Sequence, residues 1–107
     1  MVSKYRKGRY YEYKIRDVLE KMGWFVIRAA KSAPIDLVAM KGSEALIIEV
    51  KKNGPKKAPA KFTRLLNEHG LKGIYVTIVN NLYWWRPFNM NEELIEEFSK
   101  VFGPNRI

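Results

Sequence analysis

The chain has 107 residues, a formal net charge of +9 and no cysteine. That length matches one domain with a modest core, and the missing thiols exclude disulfides, thiol catalysis and cysteine-bound zinc. With a single histidine, His69, a histidine-based zinc site or a serine-type triad is also out of reach. No apolar run approaches membrane-spanning length, and the opening MVSKYRKGRYYEYK lacks the apolar stretch of a secretory signal. The expectation is a soluble, cytoplasmic protein with no membrane contact.

The charge is unevenly placed. Residues 1–61 carry 15 Lys or Arg against 6 Asp or Glu, whereas residues 62–107 carry 5 of each. A basic excess confined to one part of a chain is the usual footprint of a phosphate-backbone binder, although many small proteins are basic for solubility alone.

In chain order, a basic N-terminal arm is expected over residues 1–9, followed by a helix over 10–22. Tyr11, Ile15, Val18, Leu19 and Met22 form its apolar stripe, and Gly23 stands at the C-cap. Trp24–Arg28 reads as a strand from its β-forming residues. Ile35–Met40 and Ala45–Lys51 are two further strands joined by a hairpin at Lys41-Gly42-Ser43-Glu44. The basic loop 53–59 leads to a helix starting near Pro59, with Phe62, Leu65, Leu66 and His69 on its inner face. Gly73–Val79 and Leu82–Phe88 are strands around an Asn80-Asn81 turn. Asn91 is placed to N-cap a last helix whose apolar face is Leu94, Ile95, Phe98, Val101 and Phe102, closed by Gly103-Pro104. The order implies an α/β domain with a central mixed sheet of about five strands flanked by helices.

Two acids interrupt apolar strands, Asp36 before Leu37–Met40 and Glu49 after Leu46–Ile48. Charges are seldom left in such runs without a partner. If Lys41 pairs with Glu44 around the turn, Asp36 lies opposite Glu49, with Cβ atoms about 5 Å apart. Carboxylates that close repel unless a proton or a cation lies between them, and a divalent ion with oxygen ligands suits the gap. Lys51 points to the same face as Glu49, and the backbone carbonyl of Val50 offers a further ligand. An ammonium beside such a pair can orient a water or stabilise a developing phosphorane. The competing interpretation is a plain salt bridge from Lys51 to Glu49 or Asp36, and a one-residue slip in register would separate the acids.

Glu12 flanks the apolar stripe of the first helix, either as a fourth member of the site or as an ordinary surface glutamate. Arg6, Lys7 and Arg9 before that helix, and Lys52, Lys56 and Lys57 after the Glu49 strand, are placed to track phosphates. Arg28, Lys31 and Ser32 approach the Asp36 strand, and Arg28 is the strongest phosphate contact because it can bind bidentately. Trp84 and Trp85 point to opposite faces of one strand. One belongs to the core and the other is a dimer contact or a stacking surface.

Arg6-Lys7-Gly8, Glu12, Val26–Arg28, Ile35–Ala39 (IDLVA) and Ile48–Lys51 (IEVK), in this order and spacing, resemble the archaeal-type Holliday junction resolvases of the PD-(D/E)xK nuclease superfamily. The resemblance covers the first half of the chain. It implies a restriction-endonuclease-like nuclease core that binds Mg²⁺, or Mn²⁺ in its place, through Asp36 and Glu49, with Lys51 and Glu12 completing the catalytic set. It further implies roles for Arg28 and Ser32 in cleavage or substrate contact. A homodimer that nicks both strands of a four-way DNA junction follows from it as well. Two alternatives stand beside this one: a nuclease of the same core acting on flaps, mismatches or single strands, and a non-catalytic nucleic-acid-binding module.

Overall fold

The computed structural model describes residues 4–29 and 35–107, with side chains described from Arg9 onward. The elements are α1 (Lys4–Lys21), β1 (Phe25–Arg28), β2 (Leu37–Lys41), β3 (Glu44–Lys52), α2 (Ala60–His69), β4 (Lys72–Val79), β5 (Leu82–Phe88) and α3 (Glu92–Phe102). The strands form one five-stranded sheet in the order β1-β2-β3-β4-β5. β3 and β4 run parallel and every other neighbouring pair is antiparallel. The parallel step requires a crossover, which α2 supplies. Among the described residues no helix is long and apolar enough to cross a membrane.

The hydrophobic pattern determines which helix covers which face. Leu37, Leu46, Ile48, Val50, Ile74, Val76 and Trp85 point to one side of the sheet, where Ile15 and Leu19 of α1 and Ile95, Phe98 and Phe102 of α3 pack on them. The alternate residues Ile47 and Tyr75 point to the other side and meet Phe62 and Leu66 of α2. β3 therefore lies between two cores, and Leu46 through Val50 are all buried. On the edge strand β5, residues Asn105 and Ile107 bond to the backbone of Trp85 and cover part of the open edge.

Some boundaries differ from the expectation. α1 begins at Lys4 rather than at residue 10, so the stretch expected as an arm is helical backbone from there. Gly8 lies inside the helix, where it costs only about 1 kcal/mol relative to alanine, less than it takes to end a helix packed on a sheet. His69, expected on the inner face of α2, is exposed; it belongs to the last turn, beyond the part of the helix that the sheet covers. Val101, expected in the apolar face of α3, is 36% exposed because Phe98 and Phe102 take the inward positions on either side of it. Pro59 precedes α2 as its N-cap without a side-chain bond, while Asn91 caps α3 by accepting from the Leu94 amide at 2.8 Å.

Candidate active site

The β2–β3 hairpin keeps the expected register over its paired length: Lys41 pairs with Glu44, Met40 with Ala45, and so on to Leu37 with Ile48. Asp36 stands one residue before β2. Its amide donates to the Ile48 carbonyl at 3.0 Å and its carbonyl accepts from Ala29 at 2.8 Å. β2 ends here while β3 continues, so the amide of Val50 has no strand beside it. The Asp36 carboxylate fills that place, Oδ2 accepting from the Val50 N–H at 2.7 Å. In an extended strand the carbonyl of a residue points to the same edge as its amide, so the Val50 carbonyl also faces the gap left by β2.

Glu49 is 4% exposed. Its Oε1 lies 3.3 Å from the Lys51 ammonium, and its Oε2 is buried with no hydrogen-bond partner. Burial pushes the Glu49 carboxyl above its ordinary value, and the charge of Asp36 pushes it further; Lys51 opposes both. Asp36 is raised as well, mainly by burial, against the bond from Val50. Glu12 adds to that rise, and Lys51 and Arg28 counter it.

Glu12, Arg28, Asp36, Glu49 and Lys51 thus share one electrostatic neighbourhood. Glu12, from α1, is held by the Arg28 guanidinium at 2.8 Å, with both side chains only partly exposed. Burial of a carboxylate oxygen without a partner costs about 1–3 kcal/mol, and here a second raised carboxylate stands beside it. Among the described residues no three acidic or imidazole groups converge; the oxygens that could hold a metal here are the two carboxylates and the Val50 carbonyl. This hard oxygen set suits Mg²⁺ or Mn²⁺ rather than a thiolate- or imidazole-seeking metal.

The basic residues divide. Lys52 turns toward α1, with its ammonium 5.7 Å from the Tyr11 ring. Lys56 and Lys57 are exposed in the loop after β3, and Arg9, half-buried in α1, is also described. Lys31 and Ser32, and the side chains of Arg6 and Lys7, lie outside the described residues.

Besides the Glu12–Arg28 pair, two features were missed in the sequence. One is the Val50 amide, whose need for a side-chain acceptor arises only because β2 is shorter than β3. The other is the anchoring of the loop after Lys51. Gly54 donates to Thr77 Oγ1 at 2.8 Å, and the Tyr75 hydroxyl donates to the Pro55 carbonyl at 2.6 Å. The loop packs so closely that a Cβ on Gly54 would lie 2.6 Å from Lys51 Cβ and 2.9 Å from the Tyr75 hydroxyl. A threonine inside the apolar strand GIYVTIV was the available signal.

By architecture the chain has the fold of a junction resolvase. The solved structure of Archaeoglobus fulgidus Hjc, titled a Holliday junction resolvase from an archaeal hyperthermophile, superposes with a TM-score of 0.58 at 23% identity, over 91% of this chain and 96% of that one. The model of the archaeal Holliday junction resolvase (Hjc) family matches residues 3–74, and the chain belongs to that family. The crossover junction endodeoxyribonuclease Hjc of Methanocaldococcus jannaschii is 44% identical over 57 residues, which span 53% of this chain and 43% of that relative.

Proposed function

We propose that the protein is a Mg²⁺-dependent, structure-selective DNA endonuclease that resolves four-way junctions by paired nicks and acts as a homodimer. The observation that carries this reading is the buried Glu49 carboxylate, with one oxygen unpartnered, beside an Asp36 carboxylate held in place by the Val50 amide. Family membership and a relative named as a crossover junction endodeoxyribonuclease support the same substrate class.

Asp36, Glu49 and the Val50 carbonyl would hold the Mg²⁺, with Mn²⁺ as a substitute. When bound, the ion supplies Lewis acidity at a phosphate oxygen and lowers the pKa of water. The protein's own part is positional. The Asp36 backbone is fixed by its bonds to Ile48 and Ala29, and its carboxylate is held by the Val50 amide. The Lys51 ammonium, tethered by Glu49, is placed to orient the attacking water and to offset charge that builds on the phosphate. Glu12 and Arg28, locked to each other, act on the charge of Asp36 from the α1 side, and Arg28 can receive a flanking phosphate bidentately. A four-way junction has two equivalent strands to cut, which a two-fold pair of such sites would match.

The test is digestion of an end-labelled four-way junction, a flap and a linear duplex with Mg²⁺, mapping both strands. Symmetric nicks on the junction are expected. Asp36→Asn and Glu49→Gln should abolish cleavage while retaining junction binding, and full cleavage by either variant would overturn the assignment. Cleavage of the flap without the junction would mark a nuclease of different substrate, and tight binding without product at any Mg²⁺ concentration would mark a pure binding module.

A further inference from the structure

The three tryptophans divide sharply by environment. Trp24 and Trp85 are 4% and 0% exposed, whereas Trp84 is half-buried and carries the Lys56 ammonium 3.7 Å above its ring centroid. The sheet register relates this residue to the candidate active site. Lys51 pairs with Thr77 on β4, and Thr77 pairs with Trp84 on β5, so the three form one row across one face of the sheet. The row beside it is Glu49, Tyr75 and Arg86. At about 4.8 Å per strand, the backbones of Lys51 and Trp84 are roughly 10 Å apart, about three nucleotide steps along a B-form strand. The loop that bears Lys56 runs between them, fixed to the sheet by the Gly54–Thr77 bond.

We propose that Trp84 is a stacking platform for a base whose face is exposed at the branch point next to the cut, and that Lys56 leaves the ring to take the neighbouring phosphate as the base arrives. The inference rests on the nuclease reading and deepens it by naming what distinguishes branched DNA from plain duplex. Bases inside a duplex are stacked on both faces. A base at a branch point or a single-stranded end has a free face. Stacking of a base on an indole is worth more than an exposed cation–π contact, so the exchange is downhill, and the released ammonium gains a phosphate in place of a ring. Arg86, exposed two residues along the strand on the same face, and Lys57 flank the platform with further positive charge. A polar, cation-capped indole of this kind differs from the apolar, uncharged packing that a contact between copies would favour.

The experiment follows tryptophan emission of the whole chain in EDTA, without metal, as a four-way junction, a single strand and a linear duplex are added. The junction and the single strand should quench the wild type and the duplex should not. In Trp84→Phe the quench should vanish, because the two remaining indoles are buried. Trp84→Ala should weaken junction affinity by about ten-fold or more, leaving duplex affinity within two-fold. Lys56→Gln should flatten the salt dependence of junction affinity by about 0.9 in log–log slope, the share of one phosphate. A wild type that binds no junction overturns the nuclease reading and this inference with it. Normal junction binding with a quench that survives in Trp84→Phe, or with unchanged affinity in Trp84→Ala, overturns the inference alone. A change of oligomeric state in Trp84→Ala at unchanged junction affinity assigns the ring to a contact between copies and overturns it too.

Discussion

Asp36→Asn should make the metal-free protein more stable while removing cleavage. Asparagine keeps an oxygen to accept the Val50 amide, which Asp36 now holds at 2.7 Å, so the strand end stays capped and only the charge is lost. The Asp36 charge acts on Glu49, and two unit charges at a spacing on the order of 5–6 Å and an effective dielectric of about 20 repel by about 3 kcal/mol. The Lys51 ammonium beside Glu49 and the partial exposure of Asp36 offset part of this, leaving a net gain of about 1–2 kcal/mol and a rise in Tm of about 4–8 °C for a chain of this size. The pH dependence has a definite sign. Both carboxyls are raised in the folded state, so the native protein binds more protons than the unfolded chain. Wild-type stability therefore falls as pH climbs from the unfolded carboxyl value of about 4 through the raised folded values. The gap between variant and wild type should open over that window and close below it. Saturating Mg²⁺ should reverse the order, since an ion at about 100 times its Kd adds about 2.7 kcal/mol to a state that binds it, and the variant has lost a ligand. The assay is thermal unfolding in EDTA from pH 4 to pH 8, then in Mg²⁺. A variant less stable than the wild type at pH 8 in EDTA would refute the mutual repulsion on which the site is built.

Gly54→Ala drives a Cβ into Lys51 and Tyr75; a loss of about 1–3 kcal/mol in urea unfolding and a drop in cleavage are expected, and wild-type values in both would show the loop free to shift. Arg28→Ala removes a charge that lowers the Asp36 pKa, so the acidic limb of the cleavage profile should move to higher pH. Glu12→Gln should move it the other way, and shifts of the same sign in a pH–rate series would contradict the arrangement. Phe62→Ala empties a fully buried position packed edge-on against Phe88 at 5.8 Å; the expected loss is about 3–5 kcal/mol by urea denaturation.

The hairpin was the most legible part of the chain. A short turn between strands of alternating pattern leaves one register that keeps Leu37 and Ile48 in the core; Asp36 stands just past its last pair, within electrostatic reach of Glu49. The five strands and three helices followed from periodicity, and the period-2 rule put Trp84 and Trp85 on opposite faces without telling which of them is core. What escaped depends on the relative lengths and contacts of elements remote in sequence. Nothing local indicates that β3 outruns β2 at Val50. Nothing in α1 shows that Glu12 ends against Arg28, sixteen residues away. The start of α1 was misread because a glycine and a dense run of cations resemble an arm when packing is ignored. His69 and Val101 were placed inward by spacing, which is blind to where a sheet stops covering its helix.

The amide of Val50 is bonded to a side chain, whereas the amides around it in a central strand belong to the backbone ladder. Its proton lies within one bond of the Asp36 charge and one residue from both Glu49 and Lys51. In a two-dimensional ¹⁵N–¹H correlation spectrum this single resonance would therefore act as a natural gauge. Its position would follow the ionisation of Asp36 and the arrival of an ion in the unmutated protein, with no extrinsic probe attached.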